Sequence, residues 1–341
     1  MKTISVVSTQ MQLINCVEYL FQTHSDSNIL IVTTKSRYRK KQLCEILENK
    51  CYSKYFYKII YLSMTNIRFF DFFHLIIYTL YIRVFCLFKK FDICLLGNYR
   101  DFLGRLLYRY LRSDELIVVD DGLASLSIEA GRHGELKEYK SPYIFIPNRL
   151  IRFFCHNNTR FIPNKVNFFT IYDLKIFGND LRTSNNYIYL KKISNTFNIP
   201  DILRQADAIF VGQPLYRNYL SKDKYAWYLR QYAKNVHGSI VYYPHPEETY
   251  KEWLEMRLND NYIYVENKFS FELLLSCVKE NVNIVSFFSS ILSNAKHINQ
   301  LINLEAVYLS EIDNNQTLSY LQLSYNKFKD EGIKILVYED I

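Results

Sequence analysis

Glycine is scarce in this chain, 9 of 341 residues, and no segment of any length is rich in proline, glycine or serine. That excludes collagen-like and low-complexity architectures. No internal period recurs, which excludes a solenoid. The seven cysteines, at positions 16, 44, 51, 86, 94, 155 and 277, form no Cys-x-x-Cys pair and are odd in number. Reduced thiols in a cytosolic protein fit that pattern, and a zinc site does not. The start Met1-Lys2-Thr3-Ile4-Ser5-Val6-Val7 lacks the long apolar core and cleavage site of a signal peptide, so a cytoplasmic location is expected. Long apolar runs are missing too. Leu75 to Ile82 is the core of the most apolar segment, but Asp71, His74 and Arg83 interrupt it and Lys89-Lys90 close it, well short of the roughly 20 residues that a membrane span needs. The segment reads as a buried helix, with an amphipathic helix lying on the inner face of a membrane as the alternative.

What is present bounds the class. Hydrophobic residues make up 49% and charged residues 22%, a globular balance. The 30 tyrosines and 24 phenylalanines are read as a base-composition bias. A chain of 341 residues exceeds what one core usually serves, so two domains are expected. The formal charge of +8 suits an anionic partner such as a nucleotide, an acidic glycan or lipid headgroups, and no motif calls for nucleic acid.

Taken in order, apolar strands alternate with helices. Strands are expected at Ile4–Ser8, Ile29–Val32, Lys58–Leu62, Asp92–Gly97 and Leu116–Val119, with helices after Gln10, over Arg37–Glu48, over Ile67–Phe88 and from Arg100 to Leu111. Between Arg132 and Phe197 the rhythm breaks, and Thr196 to Pro200 reads as a linker. A second series follows. Its strands are Ala208–Val211, Ser239–Tyr243, Tyr262–Val265, Val282–Ser286 and Glu305–Leu309; its helices are Lys224–Lys234, Tyr250–Leu258, Phe271–Val278 and one opened by Ser289. Continuous apolar strands argue parallel sheets covered on both faces. The expected fold is α/β of the GT-B layout: two Rossmann-like doubly wound domains, 1–197 and 198–341, facing a central cleft.

The motifs sit at strand ends. In Tyr242-Tyr243-Pro244-His245-Pro246-Glu247-Glu248 the two prolines stop the strand, and each holds the residue before it extended. His245 therefore projects at a strand's carboxyl end, where open α/β sheets bind ligands; a capped turn with a solvated histidine is the other reading. Asp120-Asp121-Gly122 also leaves a strand. Two carboxylates there can face a cleft, and like-charge proximity would raise the pKa of one toward a general base; a solvated turn is the alternative. Ser289-Ser290 follows a strand and opens a helix, a place for a phosphate or an ordinary serine cap. Glu272 falls in a first helical turn, where a carboxylate is favourable and can accept from a ribose diol.

In this order and at these spacings, Asp120-Asp121-Gly122, His245-Pro246, Phe271-Glu272 and Ser289-Ser290 resemble the acidic-acidic-glycine, His-Pro and paired-serine motifs of bacterial GT-B sialyltransferases. The opening Ser8-Thr9-Gln10-Met11-Gln12-Leu13-Ile14-Asn15 is most similar to the start of glycosyltransferase family 52 enzymes, which sialylate lipooligosaccharide or O-antigen; bacterial polysialyltransferases are the nearest relatives. The resemblance implies inverting transfer of sialic acid from CMP-sialic acid to a glycan hydroxyl with no metal or other cofactor. It makes Asp121 the general base, lets His245 assist departure of CMP, puts Ser289 and Ser290 with Pro246 on the phosphate side and Glu272 on the ribose, and lines the nucleotide with Gly212 and Gln213. Ser8 and Thr9 would reach the donor from the first domain. The implied partners are a nucleotide-sugar donor and a glycan acceptor, lipid-linked in such pathways, with peripheral membrane contact and a homodimer both compatible. The rival readings are another CMP-activated nonulosonic acid or Kdo, a nucleotide-diphosphate sugar, repeated transfer making a polymer, and a non-catalytic glycan-binding protein on the same scaffold.

Overall fold

The computed structural model describes residues 1–25, 27–34, 37–63, 68–87, 89–97, 104, 107–108, 111, 113–133, 165–197, 199–258, 261–266, 269–310 and 315–339. The chain divides into two compact units, Met1–Tyr189 and Leu190–Ile341. Each is built on one parallel sheet.

The first unit contains β1 (Lys2–Val7), β2 (Ser27–Thr34), β3 (Lys58–Ser63), β4 (Phe91–Leu96), β5 (Ser113–Val119), β6 (Asn167–Thr170) and β7 (Leu181–Ser184), in the sheet order β3-β2-β1-β4-β5-β6-β7. Every neighbouring pair is parallel. Ile29, Leu30, Ile31 and Val32 are all fully buried, as a strand covered on both faces requires. The helix Gln10–Gln22 connects β1 to β2 and begins where extended Thr9 accepts the Gln12 N–H on its hydroxyl, a side-chain cap that satisfies one orphan donor.

The second unit contains β8 (Ala208–Val211), β9 (Ile240–Tyr243), β10 (Tyr262–Tyr264), β11 (Asn283–Ser286), β12 (Asn303–Val307) and β13 (Lys334–Leu336), ordered β10-β9-β8-β11-β12-β13. All five pairs are parallel. Both units are thus Rossmann-like α/β domains, as the alternating pattern predicts. The strand order reverses between β1 and β4 in one and between β8 and β11 in the other. Loops leaving the two strands at such a point diverge to opposite faces, which opens a crevice at the carboxyl ends.

Several elements differ from the sequence expectation. The stretch with no legible alternation holds two parallel strands, β6 and β7, and the second sheet gains β13 beyond Leu309. All four residues of β7 are exposed, so it carries no apolar run, and β13 is an edge strand of only three residues. The helix expected over Phe271–Val278 is instead two 3-10 turns, Phe271–Leu273 and Leu275–Cys277. Phe271 through Leu275 are all buried, whereas an α-helix of that length would turn one side outward. The stretch Thr196–Pro200 lies in the second unit, where Phe197 and Ile199 are buried. A further helix runs over Asn315–Asp330. Of the helix expected from Arg100 to Leu111 only positions 104, 107, 108 and 111 are described, and 134–164 lie outside the described residues.

Candidate functional site

In the second unit three adjacent strands, β9, β8 and β11, deliver candidate residues at their carboxyl ends. β8 runs into Gly212-Gln213, β9 into Pro244-His245-Pro246, and β11 through Phe287-Phe288 to Ser289-Ser290. The crevice of this sheet therefore lies between the Gly212-Gln213 turn and the paired serines. Two bonds tie the floor together: Gly212 N–H donates to the Tyr243 carbonyl at 2.8 Å, and the Ser286 hydroxyl donates to the Val211 carbonyl at 2.7 Å. Gln213 uses its backbone N–H on the Tyr225 hydroxyl, and its buried Oε1 has no hydrogen-bond partner among the described residues. An acceptor held in that state is costly unless a donor arrives.

His245 is part-exposed, and its Nδ1 accepts from the Glu247 backbone N–H at 3.2 Å. A backbone N–H can only donate, so the neutral ring carries its proton on Nε2 and offers a donor there. Thr249 and Glu252 form a reciprocal capping box that starts the helix Tyr250–Glu255 directly after the loop. Arg217 pairs with Glu252 at 2.9 Å and also reaches the Glu247 carbonyl, which anchors the far side of the turn.

Ser289 caps the helix Ser290–Ile298, its hydroxyl accepting the Ile291 N–H at 3.3 Å. The ordinary capping role is therefore filled, and the same hydroxyl retains its proton for a ligand acceptor. Glu272 is 7% exposed. Its Oε1 accepts from Asn294 Nδ2 at 2.9 Å and its Oε2 from the Ser270 hydroxyl. Asn294 lies in the helix that Ser289 caps, so the carboxylate is fixed to that helix. A carboxylate accepts at about four lone-pair sites, so these two bonds do not exhaust its acceptor capacity.

In the first unit the acidic pair separates into two environments. Asp120 is 1% exposed. Its Oδ1 accepts from the Ser125 hydroxyl at 2.5 Å and its Oδ2 from the Ile171 N–H at 2.8 Å. Burial pushes its carboxyl up to about 6, against hydrogen bonds from Ser125, Thr170 and Ile171; the charge of Asp121 adds the least. The raised pKa thus falls on Asp120 and comes from burial, where the sequence suggested like-charge repulsion. A sealed carboxylate with both oxygens engaged cannot reach an acceptor hydroxyl, so Asp120 anchors the turn to the loop after β6. Asp121, two residues beyond the end of β5, is part-exposed. Gly122 follows at φ +63°, a left-handed conformation that glycine adopts without strain.

Ser8 and Thr9, at the end of β1, are already committed. The Ser8 N–H and hydroxyl both donate to Gln12 Oε1, at 2.6 and 3.1 Å, and Thr9 caps the helix. Gln12 is fully buried, with its Nε2 unpartnered among the described residues. A Cβ at Gly97, which ends β4, would lie 2.6 Å from the Gln12 side chain. Gln12 therefore fills the crevice between β1 and β4, a role that a glutamine inside an apolar helix does not announce. The second residue that sequence reasoning passes over is Glu248, mostly buried behind the His-Pro turn and bonded to Tyr242 and to the His245 backbone.

No protein-family model matches this sequence, and no curated protein matches it. Solved structures do match in fold. One is a UDP-N-acetylglucosamine 2-epimerase, at TM-score 0.56 and 12% identity, covering 99% of this chain and 83% of the other. Another is a 2,6-sialyltransferase from Photobacterium sp. JT-ISH-224 in a ternary complex with CMP and lactose, at TM-score 0.55 and 12% identity, covering 98% of this chain and 78% of the other. The fold class is GT-B, two Rossmann-like domains in one chain.

Proposed function

We propose that the chain is a glycosyltransferase that moves sialic acid from CMP-sialic acid to a hydroxyl of a bacterial surface glycan, with inversion and with no catalytic metal. The observation that carries this reading is at the carboxyl ends of the second sheet: His245-Pro246 and Ser289-Ser290, two of the sialyltransferase-like motifs, leave β9 and β11 in chain order on either side of β8 and its Gly212-Gln213 turn. The shared fold with a CMP-bound sialyltransferase supports it.

In this mechanism the Ser289 and Ser290 hydroxyls and the helix N–H groups behind them hold the phosphate of CMP, where the dipole favours negative charge. His245 donates from Nε2 to the departing phosphate. Glu272 accepts from the ribose, and Gly212 with Gln213 lines the nucleotide. Asp121 takes the proton of the acceptor hydroxyl as its oxygen attacks the anomeric carbon and the bond to the phosphate oxygen breaks. A single phosphate as leaving group lets an imidazole and backbone N–H groups supply the stabilisation that a diphosphate draws from a divalent ion. A family 52 or polysialyltransferase type of acceptor follows from the motif resemblance.

The epimerase that matches in fold at TM-score 0.56 is named for a UDP-sugar, so a nucleotide-diphosphate sugar is the principal rival, ahead of another CMP-activated sugar or a non-catalytic scaffold. Nucleotide selectivity in a melting assay separates them.

A membrane-proximal acceptor forms part of the proposal. Among the described residues no helix is long and apolar enough to cross a membrane. Within the helix Arg68–Leu87, however, Ile82 is fully buried while Ile77, Leu80, Tyr81 and Val84 are 57%, 52%, 42% and 62% exposed. These four recur at helical spacing and form one apolar stripe. Arg83 is exposed beside it, and exposed Lys89 and Lys90 follow it. Such a stripe suits an anionic lipid surface. Vesicles with anionic headgroups should retain the protein at low salt and release part of it at high salt, and Leu80→Glu with Val84→Glu should abolish retention. Equal partitioning onto neutral and anionic vesicles would count against the membrane contact.

A further inference from the structure

Behind the His-Pro turn runs a chain of polar contacts that none of the roles above uses. The Tyr225 hydroxyl accepts the Gln213 N–H and lies 2.8 Å from the Tyr242 hydroxyl. Tyr242 donates to Glu248 Oε1 at 2.7 Å, and the His245 backbone N–H donates to Glu248 Oε2 at 2.6 Å. The Glu248 N–H closes the turn on the His245 carbonyl at 2.9 Å. Both tyrosines are buried, and Trp253 packs on Tyr242 with ring centroids 4.5 Å apart. A Cβ at Gly212 would strike a Glu248 carboxylate oxygen and the Tyr242 hydroxyl. The carboxylate thus occupies space that only glycine at the end of β8 leaves open.

We propose that Glu248 is a positioning residue: its carboxylate clamps the His245 backbone to the buried Tyr242–Tyr225 pair, and the imidazole is presented to the ligand only while that clamp is ionised. Its importance to catalysis rests on the sialyl-transfer reading. The clamp itself does not.

The ionised carboxylate accepts from two donors at once, one on each oxygen. Protonation puts a hydrogen on one oxygen. It then either opposes the His245 N–H or forces the Tyr242 hydroxyl to reverse toward Tyr225, and the clamp slackens. Burial pushes the Glu248 carboxyl up to about 7, against the bonds from His245 N–H and Tyr242, with the Glu252 charge raising it and Arg217 lowering it. Other ionisable groups facing it are Tyr216 beside Arg217 and Tyr225 from the helix Lys222–Lys234, both with phenol pKa values raised by burial and by the Glu248 charge, and His245 and Glu247 within the turn. The clamp tightens as pH rises through about 7.

Selective ¹⁵N labelling of histidine tests this without any substrate, since the protein has 7 histidines and the His245 amide is assigned by its loss in His245→Asn. In the wild type that amide proton should lie downfield and move upfield on acidification with a midpoint near pH 7. Glu248→Gln should remove that step. Tyr242→Phe, which deletes one stabilising donor and no heavy atom of the ring, should raise the midpoint, and it serves equally should the Gln variant not fold. An amide that titrates identically in wild type and both variants overturns the proposal. In the second arm, release of CMP from CMP-sialic acid should fall by up to about 10²-fold in Glu248→Gln through misplacement of the imidazole, with its acidic limb flattened, and Glu248→Asp should recover part of it. The amide step without any CMP binding would leave the clamp standing and remove the sialyl-transfer reading. CMP binding with no amide step would do the reverse.

Discussion

Asp121→Asn should lower transfer to a glycan acceptor by about 10²–10⁴, the usual worth of a general base, while leaving CMP affinity nearly unchanged. The separation follows from placement. Asp121 belongs to the first unit, at the end of β5, whereas every residue proposed for the nucleotide belongs to the second. Loss of kcat with binding retained marks an interaction made only in the transition state. Asp120→Asn is the comparison. Its carboxyl is buried and raised from 3.8 to about 6, so ionisation costs stability progressively as pH rises from about 4 to about 6 and contributes no further change above that. An asparagine can keep Oδ1 on the Ile171 N–H and donate from Nδ2 to the Ser125 hydroxyl, which can turn to accept. The fold should survive at neutral pH, and transfer should fall far less than in the Asp121 variant. Equal activity of Asp121→Asn and wild type, both folded by circular dichroism, would overturn the assignment. A larger loss at Asp120 would move the base by one residue.

His245→Ala should slow both transfer and acceptor-free hydrolysis of the donor by about 10²–10³, the usual cost of removing one preorganised donor from a developing negative charge. The Glu247 N–H held on Nδ1 fixes the proton of the neutral ring on Nε2, so the alanine variant loses the donor itself. CMP should also bind more weakly, because the product phosphate keeps the same contact. A variant that hydrolyses CMP-sialic acid at the wild-type rate would take His245 out of the mechanism.

The strands that carry the site were legible because parallel strands buried on both faces are written as unbroken apolar runs: Ala208-Ile209-Phe210-Val211 is fully buried along its length. The prolines flanking His245 made its place at a strand end legible as well. Edge strands were not, since Leu181-Arg182-Thr183-Ser184 is exposed throughout and carries no period to detect. Function was least legible where it depends on contacts distant in sequence. Asp120 and Asp121 look alike on paper, and only the Ser125 hydroxyl and the Ile171 N–H, the latter 51 positions away, decide which is sealed. Glu248 reads as one more solvated loop glutamate until Tyr242 and Gly212 are seen to enclose it. The Phe271–Val278 run carries apolar residues at six of its eight positions, which fits an α-helical period as well as a 3-10 one, so the tighter turns were hidden.

The central claim is that the second unit recognises a cytidine monophosphate, and a melting scan against CMP, CDP, UDP and GDP tests it most directly. At about 100 times its dissociation constant, CMP should stabilise the protein by roughly 2.7 kcal/mol, with the largest rise in melting temperature of the four. A rise with UDP or GDP and none with CMP would contradict the sialyltransferase reading and leave the fold untouched.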